Sequence, residues 1–146
     1  DIARALGLGE GAIKAAQWID NGPGWVAVML GTREEVLGLR REASVLPGHP
    51  IGVVAPWDIA RDGDEAQFEV RAFTTRNSED PVTGSLNAGL AQWLIGKKLA
   101  PENYVASQGT ALGRAGRVHV QRDGDDIWIG GNVGTCVSGT IDLTGA

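Results

Sequence analysis

The clearest apolar pattern in the chain is a stripe that begins just after position 85. Its members are spaced at i, i+4, i+7 and i+8, which places them on one face of an α-helix. They are Leu86, Leu90, Trp93 and Leu94. The stripe predicts one long, largely apolar helix over residues 83–98.

Shorter apolar runs, bounded by Gly, Pro, Asn and Asp, predict strands. These runs cover residues 17–19, 25–30, 51–57, 68–75, 105–107, 117–122 and 127–130, and a final strand is expected over 133–137. The run at 51–57 is continuously apolar, which favours a buried strand, whereas 68–75 alternates between apolar and polar positions. The pattern therefore predicts at least six strands with one long helix among them, in a single domain over residues 1–146.

Turn and capping residues separate these runs. Residues 20–24 predict a hairpin turn, with a backbone loop close to a ligand as the alternative, and Asp123-Gly124 predicts a second hairpin. Two short helices are expected, one over residues 1–8 with Asp1 as its cap, and one over 32–42 that begins with a capping box of Thr32 and Glu35.

Composition and charge exclude several classes of protein. A net charge of −5 without a basic block argues against nucleic acid or an anionic membrane as the main partner, but not against a small anionic ligand. The apolar runs are too short to cross a bilayer, and no signal peptide is visible. The single Cys136 excludes an internal disulfide, fits a reducing, cytoplasmic location and is expected to be buried. His49 and His119 share no metal-ligand spacing, so we expect no metal site.

The stretch Glu79-Asp80-Pro81-Val82-Thr83-Gly84-Ser85 lies directly before the long helix and combines acidic, hydroxyl and small residues. Thr83 or Ser85 can accept hydrogen bonds from the first free amides of the helix. Gly84 allows a ligand to approach the backbone closely. Because a helix N-terminus with unpaired N–H groups binds carboxylate or phosphate well, this stretch is the predicted site.

Several of these side chains have two interpretations. Asp80 is either a turn and capping carboxylate, since Asp before Pro is common in loops, or a proton-transfer group. Ser85 has no histidine placed beside it, so we favour a cap and donor to a bound carboxylate over a nucleophile. Glu79 is expected to be structural. Arg114 and Arg117 either attract an anionic substrate or, as we favour, are charges on an exposed turn.

The residues Arg71-Ala72-Phe73, followed by the stretch 79–85, closely resemble the signature of the phenazine-biosynthesis isomerase family, the PhzF-like proteins. Ser107-Gln108-Gly109, residues 113–118 and Ile129-Gly130-Gly131 look like later landmarks of that family in the same order. The resemblance implies a fold similar to diaminopimelate epimerase. In that fold two related α/β (α+β) halves each form a mostly antiparallel, β-barrel-like sheet around a central helix, and the active site lies between them. This chain would be the C-terminal half.

The resemblance also implies acid–base isomerisation without a cofactor, which in the best-known member moves a proton on 2,3-dihydro-3-hydroxyanthranilate. It implies that Asp80 is catalytic, at the turn where the epimerases carry a cysteine, and that Gly84, Ser85 and Thr83 bind the carboxylate substrate. The principal acid/base group of the family is a glutamate of the N-terminal half. The expected partner is therefore that missing half, or a second copy in a homodimer.

A non-catalytic alternative stays open at this point. A half-domain with an uncovered cleft face exposes apolar surface, so it can associate with itself and act as a module that binds small carboxylates. A start at Asp1 and a single methionine, Met29, lead us to expect a processed product or a fragment, and the resemblance favours a fragment. A racemase with paired cysteines is disfavoured because Cys136 has no second cysteine.

Overall fold

A computed structural model of the chain describes residues 1–9, 11–42, 46–76 and 78–145. The strands are β1 (Ala15–Asp20), β2 (Gly24–Met29), β3 (Ile51–Pro56), β4 (Phe68–Phe73), β5 (Glu79–Asp80), β6 (Asn103–Gln108), β7 (Gly116–Asp123) and β8 (Asp126–Gly130). The helices are α1 (Ile2–Ala5), α2 (Arg33–Leu37), α3 (Ile59–Asp62) and α4 (Gly84–Gly96), and a 3₁₀ turn covers Thr110–Leu112.

The strands form one sheet in the order β1-β2-β3-β4-β6-β7-β8, and β5 also pairs with β4. Most neighbours are antiparallel, but β2 with β3 and β4 with β6 run parallel. Along one edge of β4, β6 pairs with its first half and β5 with Ala72 and Phe73. The short strand β5 therefore continues the line of β6, which brings Asp80 close to the end of that strand.

The sheet curves around α4, because both of its outer strands, β1 and β8, contact this helix. The predicted stripe is buried, with Leu86 0%, Leu90 1% and Leu94 1% exposed. Burial extends around most of the helix and includes Ala91 and Ile95. Each fully buried leucine contributes about 1.5–3 kcal/mol of transfer free energy. The expected α/β (α+β) class, a mostly antiparallel, barrel-like sheet around a central helix, is confirmed.

The second face of the sheet is also covered, which the sequence pattern did not show. Phe68, Val70 and Ala72 of β4 join the core around α4. Phe73, on the opposite face, packs with Val36 of α2 in a second core. Every residue of β4 is buried, so the alternation over 68–75 does not mark one exposed face.

The two short helices are shorter than predicted. α2 has the expected capping box, with Glu35 N–H donating to Thr32 Oγ1 at 3.2 Å, but it ends at Leu37 with Gly38 as its C-cap. α1 ends at Ala5, and the Asp1 carboxylate bonds Arg4 instead of capping an amide. Propensity sets where these helices begin, and glycine and tertiary contacts set where they end.

The hairpins formed by β1 with β2 and by β7 with β8 confirm both predicted turns. The strand predicted over residues 133–137 is wrong, because residues 131–145 contain no strand and Val133 and Val137 are 91% and 90% exposed. This segment follows the outer strand β8, beside which no further described strand lies. Cys136 is exposed, contrary to the expectation of burial. No described helix has the length and apolar character needed to cross a bilayer.

The contact between α4 and the sheet depends on a glycine. A Cβ on Gly52 of β3 would lie 2.1 Å from Leu86 Cδ1, and Leu86 is fully buried and has no room to move aside. We expect Gly52→Ala to lower the free energy of unfolding by about 1–3 kcal/mol through overpacking, as measured by urea unfolding followed by tryptophan fluorescence.

The matched control is Gly130→Ala in β8, where an added Cβ would meet nothing within 4 Å. This variant should be neutral or slightly stabilising. Equal loss of stability in the two variants would contradict the role of Gly52 in seating α4.

Candidate active site

The predicted site residues come together at one end of the sheet. Asp80 is the last residue of β5 and pairs with Ala72 of β4. Pro81 and Val82 form the turn to Thr83, the N-cap of α4. Because directly paired residues point to the same face, Asp80 shares the α4 side of the sheet with Ala72. Its carboxyl group thus lies at the end of β5, close to the start of the central helix α4.

The hydroxyl of Thr83 contacts the carboxyl group of Asp80 directly. Thr83 Oγ1 donates to Asp80 Oδ2 over 2.6 Å. The prediction that Thr83 caps an amide of the helix is wrong, because its side chain makes no capping bond. A carboxylate is the stronger acceptor, and the short hydrogen bond is of the charge-assisted kind.

The first amides of α4 are therefore left without a side-chain cap. Intrahelical bonding begins with Asn87 N–H, which donates to Thr83 O at 3.1 Å. The N–H groups of Gly84, Ser85 and Leu86 precede this bond. Gly84 is exposed, and a Cβ there would meet nothing within 4 Å. A small anion therefore has room to approach the start of α4 at Gly84.

Ser85 is held by a tryptophan and does not act as a cap. Its Oγ accepts a hydrogen bond from Trp25 Nε1 of β2 at 3.2 Å. No other side-chain hydrogen bond to Ser85 occurs in the described part of the chain, so its own hydroxyl proton is available to a further acceptor. The role of Ser85 as a donor to a substrate carboxylate stays a prediction, as do the roles of Asp80, Thr83 and Gly84.

A buried amide network supports this turn. Gln108 is fully buried and Asn87 is 1% exposed. Gln108 Nε2 donates to Asp80 O at 2.9 Å and to Thr83 Oγ1 at 3.0 Å. Gln108 Oε1 accepts from Thr83 N–H at 3.1 Å and from Asn87 Nδ2 at 2.8 Å. In the sequence, Gln108 stands out only as part of a family landmark, and no pattern marks Asn87.

Two glycines let the loop after β6 approach the Pro81-Val82 turn. A Cβ on Gly109 would lie 2.8 Å from Pro81 O, and its φ is +90°. A Cβ on Gly116 would lie 2.5 Å from Gln108 O and 2.6 Å from Val82 Cγ2. Close approach of this kind requires glycine, and the Gln-Gly dipeptide was the only sequence signal for it.

Glu79 is structural, as expected. It forms a two-point ion pair with Arg71 of β4, with Arg71 Nε to Oε1 at 2.9 Å and Nη2 to Oε2 at 2.7 Å. The two side chains are 9% and 11% exposed. Glu79 and Asp80 are neighbours on one strand, so they point to opposite faces of the sheet.

Arg114, in the loop after β6, differs from Arg117, which lies in β7. Arg114 is exposed, in agreement with the favoured interpretation of a surface charge. Arg117 is half-buried and donates to Ser107 Oγ at 3.1 Å and to Glu65 Oε2 at 3.0 Å. It also donates to Gly116 O at 3.0 Å, and since all three partners belong to the protein, Arg117 is committed to structure. His119 of β7 is exposed between the buried Val118 and Val120.

Comparison with known proteins identifies the family. The sequence model for phenazine biosynthesis-like proteins, PhzC-PhzF, matches residues 1–138. The chain belongs to this family. This result agrees with the fold, since PhzF-family structures are among those most similar to it.

Two of these structures are described as PhzF-family proteins. The chain resembles a PhzF-family protein of Enterococcus faecalis at 26% identity and a TM-score of 0.69, over 89% of this chain and 46% of that one. It resembles a PhzF-family protein of Bacillus anthracis at 19% identity and a TM-score of 0.70, over 88% of this chain and 49% of that one.

Two further similar proteins are not described as PhzF-family proteins. A structure from Pseudomonas aeruginosa, described as a predicted epimerase, is 21% identical with a TM-score of 0.63, over 94% of this chain and 51% of that one. Antisense-enhancing sequence 1 of Schizosaccharomyces pombe is 28% identical over 95% of this chain and 51% of its own length. The chain thus spans about half the length of its relatives.

Metal ligands do not cluster at this site. Across the ranges that the structure describes, no group of three or more His, Cys, Asp or Glu side chains is placed to hold a metal ion. The polar groups around the α4 N-terminus are a carboxyl group, hydroxyls and backbone amides.

The buried ion pair between Glu79 and Arg71 provides a test of what holds β5 in place on β4. We expect Glu79→Gln to lower the free energy of unfolding by about 3 kcal/mol, because it leaves the buried Arg71 charge uncompensated. Urea unfolding measures the change. The control is Glu65→Gln, which breaks the exposed pair with Arg117 and should cost less than about 1 kcal/mol. Similar losses in the two variants would contradict a special role for the buried pair.

Proposed function

We propose that this chain is the C-terminal half of a PhzF-like isomerase or epimerase that moves a proton on a small carboxylate-bearing substrate. Family membership and the likeness in fold support this proposal. The observation that carries it is the position of Asp80. Its carboxyl group lies at the open N-terminus of α4, where Oδ2 is bonded to Thr83 and Oδ1 accepts no hydrogen bond from the described residues.

The two parts of the site have complementary tasks in this proposal. The N–H groups of Gly84 and Ser85, with the Ser85 hydroxyl, bind the substrate carboxylate at the positive end of the helix dipole. Asp80 then lies beside the carbon that bears the transferable proton and acts through Oδ1 as an acid or base. Binding of the carboxylate and transfer of the proton are thus supplied by residues a few positions apart in sequence.

Epimerisation, in which a proton leaves one face of a carbon and returns to the other, needs a second acid/base group opposite Asp80. The family resemblance assigns it to a glutamate of the N-terminal half, and the half-length coverage of the relatives fits such an arrangement. The full protein would then use two protein carboxyl groups and no cofactor.

Exposed apolar residues support an interface on the C-terminal side of the sheet. Trp128 of β8 is 62% exposed, and Val133, Val137 and Ile141 are 91%, 90% and 84% exposed. Large apolar side chains exposed to this degree on β8 and the segment after it are candidates for an interface. We assign this surface to the N-terminal half, or to a second copy of the chain where that half is lacking.

Proton exchange in D₂O tests the proposed chemistry. With the full-length protein and 2,3-dihydro-3-hydroxyanthranilate as probe, we expect Asp80→Asn to slow deuterium uptake at the substrate carbon by at least about tenfold. Asp125→Asn, in the exposed turn between β7 and β8, is the matched control and should exchange at the wild-type rate.

Unchanged exchange in Asp80→Asn would remove Asp80 from the mechanism. If wild type exchanges no proton on this probe or on L-diaminopimelate, the proposal of an isomerase is wrong for these substrate classes.

A binding measurement tests the anion site separately from the chemistry. We expect Ser85→Ala to weaken the binding of anthranilate by about tenfold, which corresponds to about 1.4 kcal/mol for one lost hydrogen bond to a charged group. Isothermal titration calorimetry with the full-length protein measures the affinity. Ser78→Ala is the control, because Ser78 is exposed and bonds Thr74. Equal affinity in wild type and Ser85→Ala would place the carboxylate elsewhere.

A further inference from the structure

We propose that Gln108 is a positioning residue of this site: its buried amide directs the hydroxyl proton of Thr83 onto Asp80, so that Asp80 presents Oδ1 to the substrate. This inference rests on the proposed function and assigns a role to two side chains outside the stretch 79–85, Gln108 and its hydrogen-bond partner Asn87. It follows from a chain of hydrogen bonds in which each donor can be identified.

Backbone groups fix the orientation of the Gln108 amide. Gln108 Oε1 lies 3.1 Å from Thr83 N–H, which can only donate. Gln108 Nε2 lies 2.9 Å from the carbonyl oxygen of Asp80, which can only accept. A flipped amide would place donor against donor and acceptor against acceptor. The assignment of nitrogen and oxygen is therefore determined by the protein backbone.

The direction of the Thr83 hydroxyl follows from that orientation. Gln108 Nε2 donates its second proton to Thr83 Oγ1 at 3.0 Å. Thr83 Oγ1 then donates its single proton to Asp80 Oδ2, 2.6 Å away. Without the Gln108 donor, the hydroxyl would be free to rotate and donate to other acceptors.

The consequence for Asp80 is geometric. With Oδ2 held by Thr83, the carboxyl group cannot rotate freely, and Oδ1 keeps one direction relative to the α4 N-terminus. A reacting group fixed in this way needs little reorganisation when the substrate arrives. Gln108 touches no reacting atom in this scheme, since it acts only through Thr83 and the backbone of Asp80.

Burial makes this arrangement rigid. Gln108 is fully buried, and its four hydrogen bonds use both amide protons and both acceptor positions of Oε1. Asn87 completes the network by donating to Gln108 Oε1 and to Thr83 O, at 2.8 and 2.9 Å. A fully satisfied network in a low-dielectric interior specifies one arrangement of its members.

A double-mutant cycle on the full-length protein tests the proposal, again with 2,3-dihydro-3-hydroxyanthranilate. We expect Gln108→Met and Thr83→Val each to lower kcat by at least about tenfold with KM within about threefold of wild type. Thr83→Ser keeps the hydroxyl and should restore kcat to within about threefold. Because Gln108 acts through Thr83, the double variant should be no slower than the slower single variant. Losses that multiply would overturn the proposal.

Two further variants separate positioning from folding. Gln108→Glu keeps the shape and the Oε1 acceptor, and in its ionised form it lacks the donor to Thr83. Measured above the pKa of the introduced carboxyl group, it should show the same loss of kcat if Gln108→Met fails to fold. Gln121→Met, an exposed glutamine on β7, is the matched control and should retain wild-type kcat and melting temperature. Wild-type kcat in folded Gln108→Glu would also overturn the proposal.

A spectroscopic measurement distinguishes failure of this inference from failure of the proposed function. In protein labelled with ¹³C at aspartate, the Cγ resonance of Asp80 should shift between H₂O and D₂O because a hydroxyl proton is bonded to Oδ2. The shift should disappear in Thr83→Val and be reduced in Gln108→Glu, whether or not the probe is turned over. An unchanged shift in Gln108→Glu would show that Gln108 does not direct the hydroxyl.

Discussion

The guanidinium group of Arg71 joins three parts of the structure that would otherwise be independent. Arg71 Nη1 donates to the carbonyl oxygens of Val36 and Leu39 at 3.1 and 2.9 Å, which ties the end of α2 to the sheet. Its Nε and Nη2 hold both carboxylate oxygens of Glu79 in β5. A buried ion pair of this kind adds little net stability, because desolvation offsets its attraction, but it discriminates strongly against arrangements that leave either charge unpaired.

The main effect of this pair is on register. A strand of only two residues has few ladder hydrogen bonds to define its alignment, and a slip of one residue exchanges the faces to which its side chains point. The pairing of Glu79 with Arg71 excludes that slip. Asp80 must then point to the α4 side, toward Thr83 and the helix N-terminus. A charge on one face of the sheet thus determines the position of the carboxyl group on the other.

Local patterns were enough to predict the central helix, both hairpins and the position of Asp80 at its start, since these depend on neighbours in sequence. The complete burial of β4 was not predictable in this way, because it depends on α2 packing on the second face. The partner of Thr83 was also missed: an N-cap hydroxyl has several acceptors within reach, and only the fold brings Gln108 from β6 to select one. The strand expected over residues 133–137 had the right composition but has no described neighbour with which to pair.

The register of β5 also explains why the proposed site would be shared between two halves of a protein. In the proposed function, the groups that this chain supplies lie on one side of the substrate, because Asp80, the Ser85 hydroxyl and the open amides all belong to the short stretch from the end of β5 to the first turn of α4. A proton that is removed on one side and returned on another requires a second group facing the first. Such a group cannot come from the same turn, whose other acidic residue, Glu79, is committed to Arg71 on the opposite face of the sheet. Because the register of β5 turns Glu79 away from Asp80, an acid/base group opposite Asp80 has to come from another surface. In the proposed function, the N-terminal half of a PhzF-like protein provides that surface.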